Sequence, residues 1–209
     1  MVLARHFRRN LQITQVSEPV KLPGEANRSE PRMEQLIVIS AVGGEPTTAV
    51  SELSRIIADC GGSIRESRMA AMGSEFGILL LVAGNWHTIG RLERDLGRYG
   101  EKDGISMQFK RTEARRMGKE LLPYAVDVVG LDQPGIVHNL SRFFSARRVE
   151  IGEVSSRSYP AAHTGAPMFS VQMFVNIPSS VHIAGLREEF MEFCDQLNVD
   201  AIMEPVKQS

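Results

Sequence analysis

Apolar residues recur along the first half of the chain with two alternating periods, and the alternation predicts strands and helices in a fixed order. The opening segment, 36–42, is a short and mostly apolar run, which is typical of a buried strand. From Pro46 to Cys60 the apolar residues recur every three or four positions, which predicts a helix that ends at Gly61. Two strands joined at Gly73, a second helix and a last strand follow. The predicted segments are 36–42, 46–60, 63–69, 76–83, 86–99 and 105–110.

The second half of the chain repeats the first. A shift of 87 positions, the difference between 130 and 43, superposes Gly43 on Gly130 and residues 53–55 on the identical residues 140–142. Self-similarity at a fixed offset indicates a duplicated domain. The predicted segments of the second copy are 125–129, 134–148, 150–158, 168–175, 181–197 and 199–206, with a longer hairpin connection within 159–167.

Each copy therefore has the element order βαββαβ, and this order predicts the fold class. We expect an α+β protein made of two ferredoxin-like sandwiches, each an antiparallel sheet with both helices on one face.

The connection between the first strand and the first helix of the second copy has the composition of an anion-binding loop. It reads Gly-Leu-Asp-Gln-Pro-Gly-Ile-Val over 130–137. Pro134 suits a first helical position, and Gly130 and Gly135 allow the backbone to approach a bound group. The free N–H groups of the helix N-terminus would face a carboxylate, and Asp132 would attract an ammonium, so the loop matches a zwitterionic amino acid better than a phosphate. A tight turn without a ligand has the same spacing, and this alternative stays open.

The first copy carries a degraded form of the same loop. Residues 43–50 read Gly-Gly-Glu-Pro-Thr-Thr-Ala-Val, so the acid persists as Glu45, Pro46 lies one place early and Thr48 replaces the second glycine. Thr47 and Thr48 are candidates to cap the following helix. A Cβ at position 48 narrows the approach to the backbone, so we expect the second loop to be the better binder.

The loop of the second copy, followed by Val149-Glu150-Ile151 at the start of the next strand, resembles the ACT domain, a ligand-binding module of amino-acid metabolism. The resemblance extends over both copies, about residues 36–206. The tandem pair, together with short sequences in the first copy, resembles the glycine cleavage system transcriptional repressor family. Those sequences are Cys60-Gly61, Ser67-Arg68, Gly73-Ser74-Glu75-Phe76, Gly84-Asn85-Trp86 and Lys110-Arg111-Thr112.

The resemblance implies a regulator that senses glycine or a related amino acid and acts through a LysR-type activator, without specific DNA binding of its own. It also implies a ligand site where the first loop meets a second strand or a neighbouring module. Ile136, Val137 and Ile151 are expected to pack in the core more than to contact the ligand. Carried onto this chain, the site comprises Gly130, Leu131, Asp132, Gln133, Pro134, Gly135, Ile136 and Val137, with Glu150 and Ile151; the weaker second site comprises Gly43, Gly44, Glu45, Ser63 and Ile64.

Length and charge agree with this organisation. The 209 residues suffice for two small domains, predicted at 34–112 and 122–209, with an N-terminal arm at 1–33 and a basic linker at 113–121. The arm is expected to be poorly ordered; an upstream translation start before Met33 is the alternative. A net charge of −1 and a pI near 6.5 give no general attraction for nucleic acid. The basic stretch 110–119 could contact DNA or an acidic partner, although a solvated linker is the favoured interpretation.

No catalytic, metal or cofactor site is predicted. Cys60 and Cys194 lack companions at metal spacing and indicate reduced thiols of a cytoplasmic protein without a membrane span. His87 and His182 lie at helix starts, where a local hydrogen bond is more ordinary than contact with a ligand, and His138 is expected on an exposed helical face or near the ligand. Two alternatives remain: a regulatory subunit of an amino-acid metabolic enzyme, and an enzyme whose site lies between the modules. Association into a homo-oligomer is left open.

Overall fold

The computed structural model describes residues 34–114 and 120–206. The chain divides into two compact units between residues 114 and 115, referred to below as the first and second domains. The predicted N-terminal arm at 1–33 and residues 115–119 of the predicted basic linker lie outside the described residues.

The first domain is a four-stranded antiparallel sheet with two helices, in the predicted order βαββαβ. The strands lie side by side in the order β2-β3-β1-β4. The elements are β1 (Gln35–Val42), α1 (Pro46–Asp59), β2 (Ser63–Met72), β3 (Glu75–Gly84), α2 (Trp86–Asp103) and β4 (Ser106–Thr112).

The second domain repeats this arrangement, with the corresponding strand order β6-β7-β5-β8. Both sheets carry an irregularity at the same place in the repeat, between Ile64 and Glu66 in β2 and between Ile151 and Glu153 in β6. The fold class predicted from the sequence is confirmed. The elements are β5 (Leu121–Leu131), α3 (Ile136–Ala146), β6 (Glu150–Pro160), β7 (Pro167–Pro178), α4 (Ile183–Gln196) and β8 (Val199–Pro205).

Each sheet buries one face. In β1, Ile37, Ile39 and Ala41 are buried while the residues between them are not, as expected from the alternation of side chains along a strand. The helices contribute the other half of each core through residues at helical spacing. In α2 these are Ile89, Leu92 and Leu96, and in the second domain Phe143, Phe144 and Phe190 form an aromatic cluster with ring centroids 5.1–5.3 Å apart.

Several helix boundaries differ from the sequence-based expectation, and glycines account for two of them. Helix α2 continues past Tyr99 to Asp103, and Gly100 lies within it; an added Cβ at Gly100 would lie 2.7 Å from the Ile105 carbonyl oxygen, so packing selects glycine there. The left-handed residue that ends this helix is Gly104, at φ 68°. Helix α3 begins at Ile136 instead of Pro134, because Gly135 has φ 90°, which a helical residue cannot adopt.

Most strands run further than their apolar cores indicate, whereas β8 ends one residue before its predicted end. β5 covers Leu121–Leu131 because it pairs with β7 along its whole length. β4 continues to Thr112, so Lys110 and Arg111 belong to the sheet and not to a linker. The two hairpins differ as expected: Met72 pairs with Glu75 in the first domain, whereas Pro160 pairs with Pro167 across a longer turn in the second.

Candidate functional site

The loop between β5 and α3 presents a helix N-terminus that no side chain caps. Gly135 is the N-cap residue of α3, and its carbonyl oxygen accepts the N–H of Asn139 at 2.9 Å. The N–H groups of the first turn have no intrahelical partner by construction, and they carry the positive end of the helix dipole. An anion placed against this turn would therefore gain both hydrogen bonds and a favourable field.

Two hydrogen bonds hold this loop in place. The Asp132 N–H donates to the Pro167 carbonyl oxygen at 2.9 Å, and Gln133 Nε2 donates to the Leu197 carbonyl oxygen at 2.8 Å. The loop is thus attached both to β7 and to the end of α4. The Asp132 side chain remains exposed, whereas the Gln133 amide nitrogen is already engaged and acts as a tether. This hydrogen bond joins residues far apart in sequence, so no local sequence pattern predicts it.

The two glycines of the loop have different structural surroundings. Gly130 lies in β5, and an added Cβ would come within 2.7 Å of Val199 Cγ1, so this glycine permits strand packing. Gly135 has φ 90° and an added Cβ there would meet only Asn139 Nδ2 at 3.8 Å, so backbone conformation selects glycine. The sequence predicted Pro134 at the first position of α3. This prediction is wrong, because the helix starts two residues later and Pro134 lies in the turn before it.

The Ile136 side chain packs in the core, and Glu150 and Ile151 do not lie near this loop within the second domain. Ile136 is buried in the core, and Ile151 packs against that core. Leu131 pairs with Met168 at one end of β7, while Glu150 pairs with Asn176 near the other. At about 3.3 Å per residue, the difference between 168 and 176 puts Glu150 and the loop roughly 26 Å apart along the sheet.

The corresponding loop of the first domain holds a carboxylate of its own. The Glu45 side chain accepts the N–H of Thr47 at 3.2 Å and the N–H of Thr48 at 2.7 Å, so Glu45 caps α1. The sequence predicted that the side chains of Thr47 and Thr48 would cap α1. Instead, the backbone N–H groups of these two residues donate hydrogen bonds to the Glu45 side chain. Hydrogen bonds from the Thr48 and Thr47 backbone hold the pKa of Glu45 below its usual 4.5. Any further carboxylate at this helix would have to displace Glu45.

The remaining residues of the weaker predicted site divide between the two ends of the first sheet. Gly43 and Gly44 adopt φ 107° and 83° beside Glu45, and an added Cβ at Gly44 would lie 2.9 Å from Ile105 Cδ1. Ser63 and Ile64 pair with Ala83 and Val82 at the opposite end of β3 from Gly77, which pairs with the last residue of β1.

His87, His182 and the two cysteines are accounted for by local structure. His182 caps α4, where its Nδ1 accepts the Gly185 N–H at 3.2 Å, and His87 stacks against Trp86 with ring centroids 3.4 Å apart. Both cysteines are buried and free, and burial raises the pKa of the Cys194 thiol to about 11. Within 34–114 and 120–206, no group of three or more His, Cys, Asp or Glu residues could hold a metal ion. No helix in the same ranges is long and apolar enough to cross a membrane.

The capping role of Glu45 has a measurable pH dependence. Glu45→Ala should lower the unfolding temperature of the first domain at neutral pH, because two N–H groups lose their acceptor. Since the folded-state pKa is depressed, the contribution of the carboxylate is present above its usual value of 4.5 and is lost as the pH falls through the folded pKa. The midpoint difference between wild type and variant should therefore be constant near pH 7 and shrink below about pH 4.5.

Thermal unfolding followed by fluorescence of Trp86, the chain's one tryptophan, reports on the first domain. Glu101→Ala on the exposed surface of α2 is the matched control, because it removes a carboxylate that does not cap a helix start. A midpoint difference for Glu45→Ala that persists unchanged at pH values well below 4 would contradict the capping role.

Comparison with known proteins agrees with the duplicated architecture. The family model of the ACT domain matches residues 35–110. The glycine cleavage system transcriptional repressor of Escherichia coli K12 is 29% identical over 173 residues, which cover 83% of this chain and 91% of the relative; the repressor of Shigella flexneri matches equally. A crystal structure provisionally assigned as such a repressor superposes with a TM-score of 0.65 at 26% identity, covering 84% of this chain and 99% of that one.

A protein of unknown function from Galdieria sulphuraria shares the fold, with a TM-score of 0.67 at 21% identity over 83% of this chain and 99% of its own. The family-model match, the repeated fold and the similarity over 83% of the chain agree with one another. The first domain matches the ACT-domain family model, the second domain repeats its fold, and the chain as a whole is similar to glycine cleavage system transcriptional repressors.

Proposed function

We propose that this protein is a cytoplasmic, non-enzymatic amino-acid sensor that represses transcription of the glycine cleavage system by acting on a LysR-type activator. The observation that carries the proposal is the extent of the similarity: the match to the Escherichia coli repressor spans both domains and 91% of that relative. A shared single module would support only a shared fold. Similarity over both modules supports the proposal that the two proteins use the pair of modules for the same function.

The loop between β5 and α3 is the proposed amino-acid site. The carboxylate of the ligand would accept N–H groups of the uncapped first turn of α3, and the exposed Asp132 side chain would receive its ammonium. Loop attachment through Gln133 favours binding, because a preformed loop loses little conformational entropy when the ligand arrives. In the first domain Glu45 occupies the equivalent helix start, which supports the second loop as the principal site.

The proposal assigns the contact with DNA to a partner protein. Specific DNA binding normally rests on unpaired cations that contact phosphates. Here the net charge is −1, and several arginines of the described ranges are engaged by carboxylates of this chain. The pairs are Arg55 with Glu52 and Asp59, Arg65 with Glu34, Arg94 with Asp95, Arg111 with Glu93, and Arg147 with Glu189.

Calorimetric titration with glycine, L-alanine and L-serine tests the loop. Asp132→Ala should weaken binding by about ten- to a hundredfold through loss of a charge-assisted hydrogen bond to the ammonium. Gly135→Thr should abolish most binding, because a residue with a Cβ cannot hold φ 90° without strain and the start of α3 would shift.

Gly73→Ala is the control for the glycine substitution. Gly73 also has a positive φ, 64°, in open space, but it lies in the hairpin of the first domain. This variant should bind like wild type. Unchanged affinity in both Asp132→Ala and Gly135→Thr would place the amino-acid site elsewhere and leave the loop as a structural element.

A gel-shift titration on the host's glycine-cleavage promoter region tests the second part of the proposal. At physiological salt the purified chain should give no shift, whereas the chain together with the LysR-type activator should alter the activator's complex. A tight, salt-sensitive complex with the chain alone would overturn the proposal. Affinity purification of the tagged chain with and without glycine identifies the partner class, and recovery of an amino-acid biosynthetic enzyme instead of a transcription factor would favour the regulatory-subunit alternative.

A further inference from the structure

The sheet of the second domain has a face that its helices do not cover, here called the open face. Val126, Val128, Val171 and Met173 are buried under α3 and α4. Because side chains alternate along a strand, the residues between them point to the opposite side of the sheet. The open face therefore carries the other set of β5 and β7 residues, together with their paired residues on β6.

A cleft of about 410 Å³ lies on this face and is called the open-face cleft. Its volume falls within the range of small-molecule sites. The register places Ser155, Gln172 and Asp127 in one row across β6, β7 and β5, and Arg157, Ser170 and Val129 in the next. Small serine side chains in both rows leave a depression between longer neighbours, and Tyr159 completes the lining.

The two charged groups of the cleft have opposite sign and approach it from different strands. Gln172 Nε2 donates to Asp127 Oδ1 at 3.0 Å, which fixes the carboxylate and leaves Oδ2 for another donor. The Arg157 guanidinium lies 5.7 Å from the centroid of the Tyr159 ring. Asp127 and Arg157 are not ion-paired with each other in the described second domain, and their strands, two positions apart in the sheet, are separated by roughly 10 Å.

We propose that the open-face cleft is a second binding site for a free α-amino acid, with the ammonium on Asp127 and the carboxylate on Arg157. A zwitterion satisfies both charges at once, whereas a phosphate would be repelled by Asp127 and a simple cation by Arg157. The hydroxyls of Ser155 and Ser170 supply further hydrogen-bond partners on the floor. This site uses none of the loop residues and goes beyond the proposed function.

The lining also indicates which amino acids fit. Glycine would fill a small part of the volume, while Val129 and the Tyr159 ring offer apolar surface to a side chain. L-Valine should therefore bind the cleft more tightly than glycine, by fivefold or more. N-Acetyl-L-valine and L-valinamide each lack one of the two charges and should bind at least tenfold more weakly than L-valine.

Chemical-shift mapping of the full-length ¹⁵N-labelled chain locates the site. Titration with L-valine should move the amide signals of Ser155, Ser170 and Gln172 in a saturable manner. Asp127→Asn and Arg157→Gln should each weaken this effect tenfold or more. Glu204→Gln removes a charge from the same face on β8, outside the cleft, and should leave the titration unchanged.

The same spectra separate this proposal from the loop site. Saturable shifts confined to residues 132–138 would overturn the open-face cleft and leave the proposed function intact. In a parallel titration with glycine, shifts at the cleft alone would overturn the loop site. Cleft shifts that persist in both Asp127→Asn and Arg157→Gln would also overturn the proposal, since those shifts would then report a site that does not use the two charges.

Discussion

One-sided burial of the two sheets is the constraint on which the rest of the structure depends. Each four-stranded sheet gains its core from two helices packed on one face, and the aromatic cluster of Phe143, Phe144 and Phe190 shows how completely that face is filled in the second domain. The opposite face and the strand-to-helix loops are thereby left accessible. Both proposed ligand sites of the second domain lie in these parts, one at the start of α3 and one on the open face.

The duplicated domains meet the same requirement at their first helix in different ways. A helix start leaves N–H groups that need acceptors. In the first domain Glu45 supplies them from within the chain, and its pKa falls as a result. In the second domain Gly135 supplies none, and the N-terminus of α3 stays open to an external anion. The two N-cap residues lie at different positions of the repeat, since Glu45 corresponds to Asp132 and Gly135 to Thr48, so the first helix is capped by its own chain whereas the second is a candidate binding site.

Sequence alone predicted the element order, the duplication and the long hairpin, because these depend on local periodicity and on glycines at turns. It did not predict the true start of α3, since the φ of Gly135 leaves no periodic signal. The packing role of Gly130 against Val199 and the tether from Gln133 to Leu197 depend on contacts between residues more than 60 positions apart.

Strand register determines where Glu150 lies in the second domain. The resemblance to the ACT domain grouped Glu150 and Ile151 with the loop, but antiparallel pairing of β6 with β7 carries both residues to the far end of the sheet. Only the pairing direction and register could reveal this separation. The Asp127–Arg157 arrangement escaped sequence analysis for the same reason, since its members come from two strands that are not adjacent in the sheet.

The most direct test of the central claim is the coupling between amino acid and partner. The affinity of the full-length chain for the purified LysR-type activator can be measured by interferometry with and without saturating glycine. A sensor must change this affinity, and a factor of five or more is typical of allosteric coupling. The proposed mechanism predicts such a change in wild type and its loss in Asp132→Ala at the same glycine concentration. An affinity that glycine leaves unchanged in wild type would contradict it.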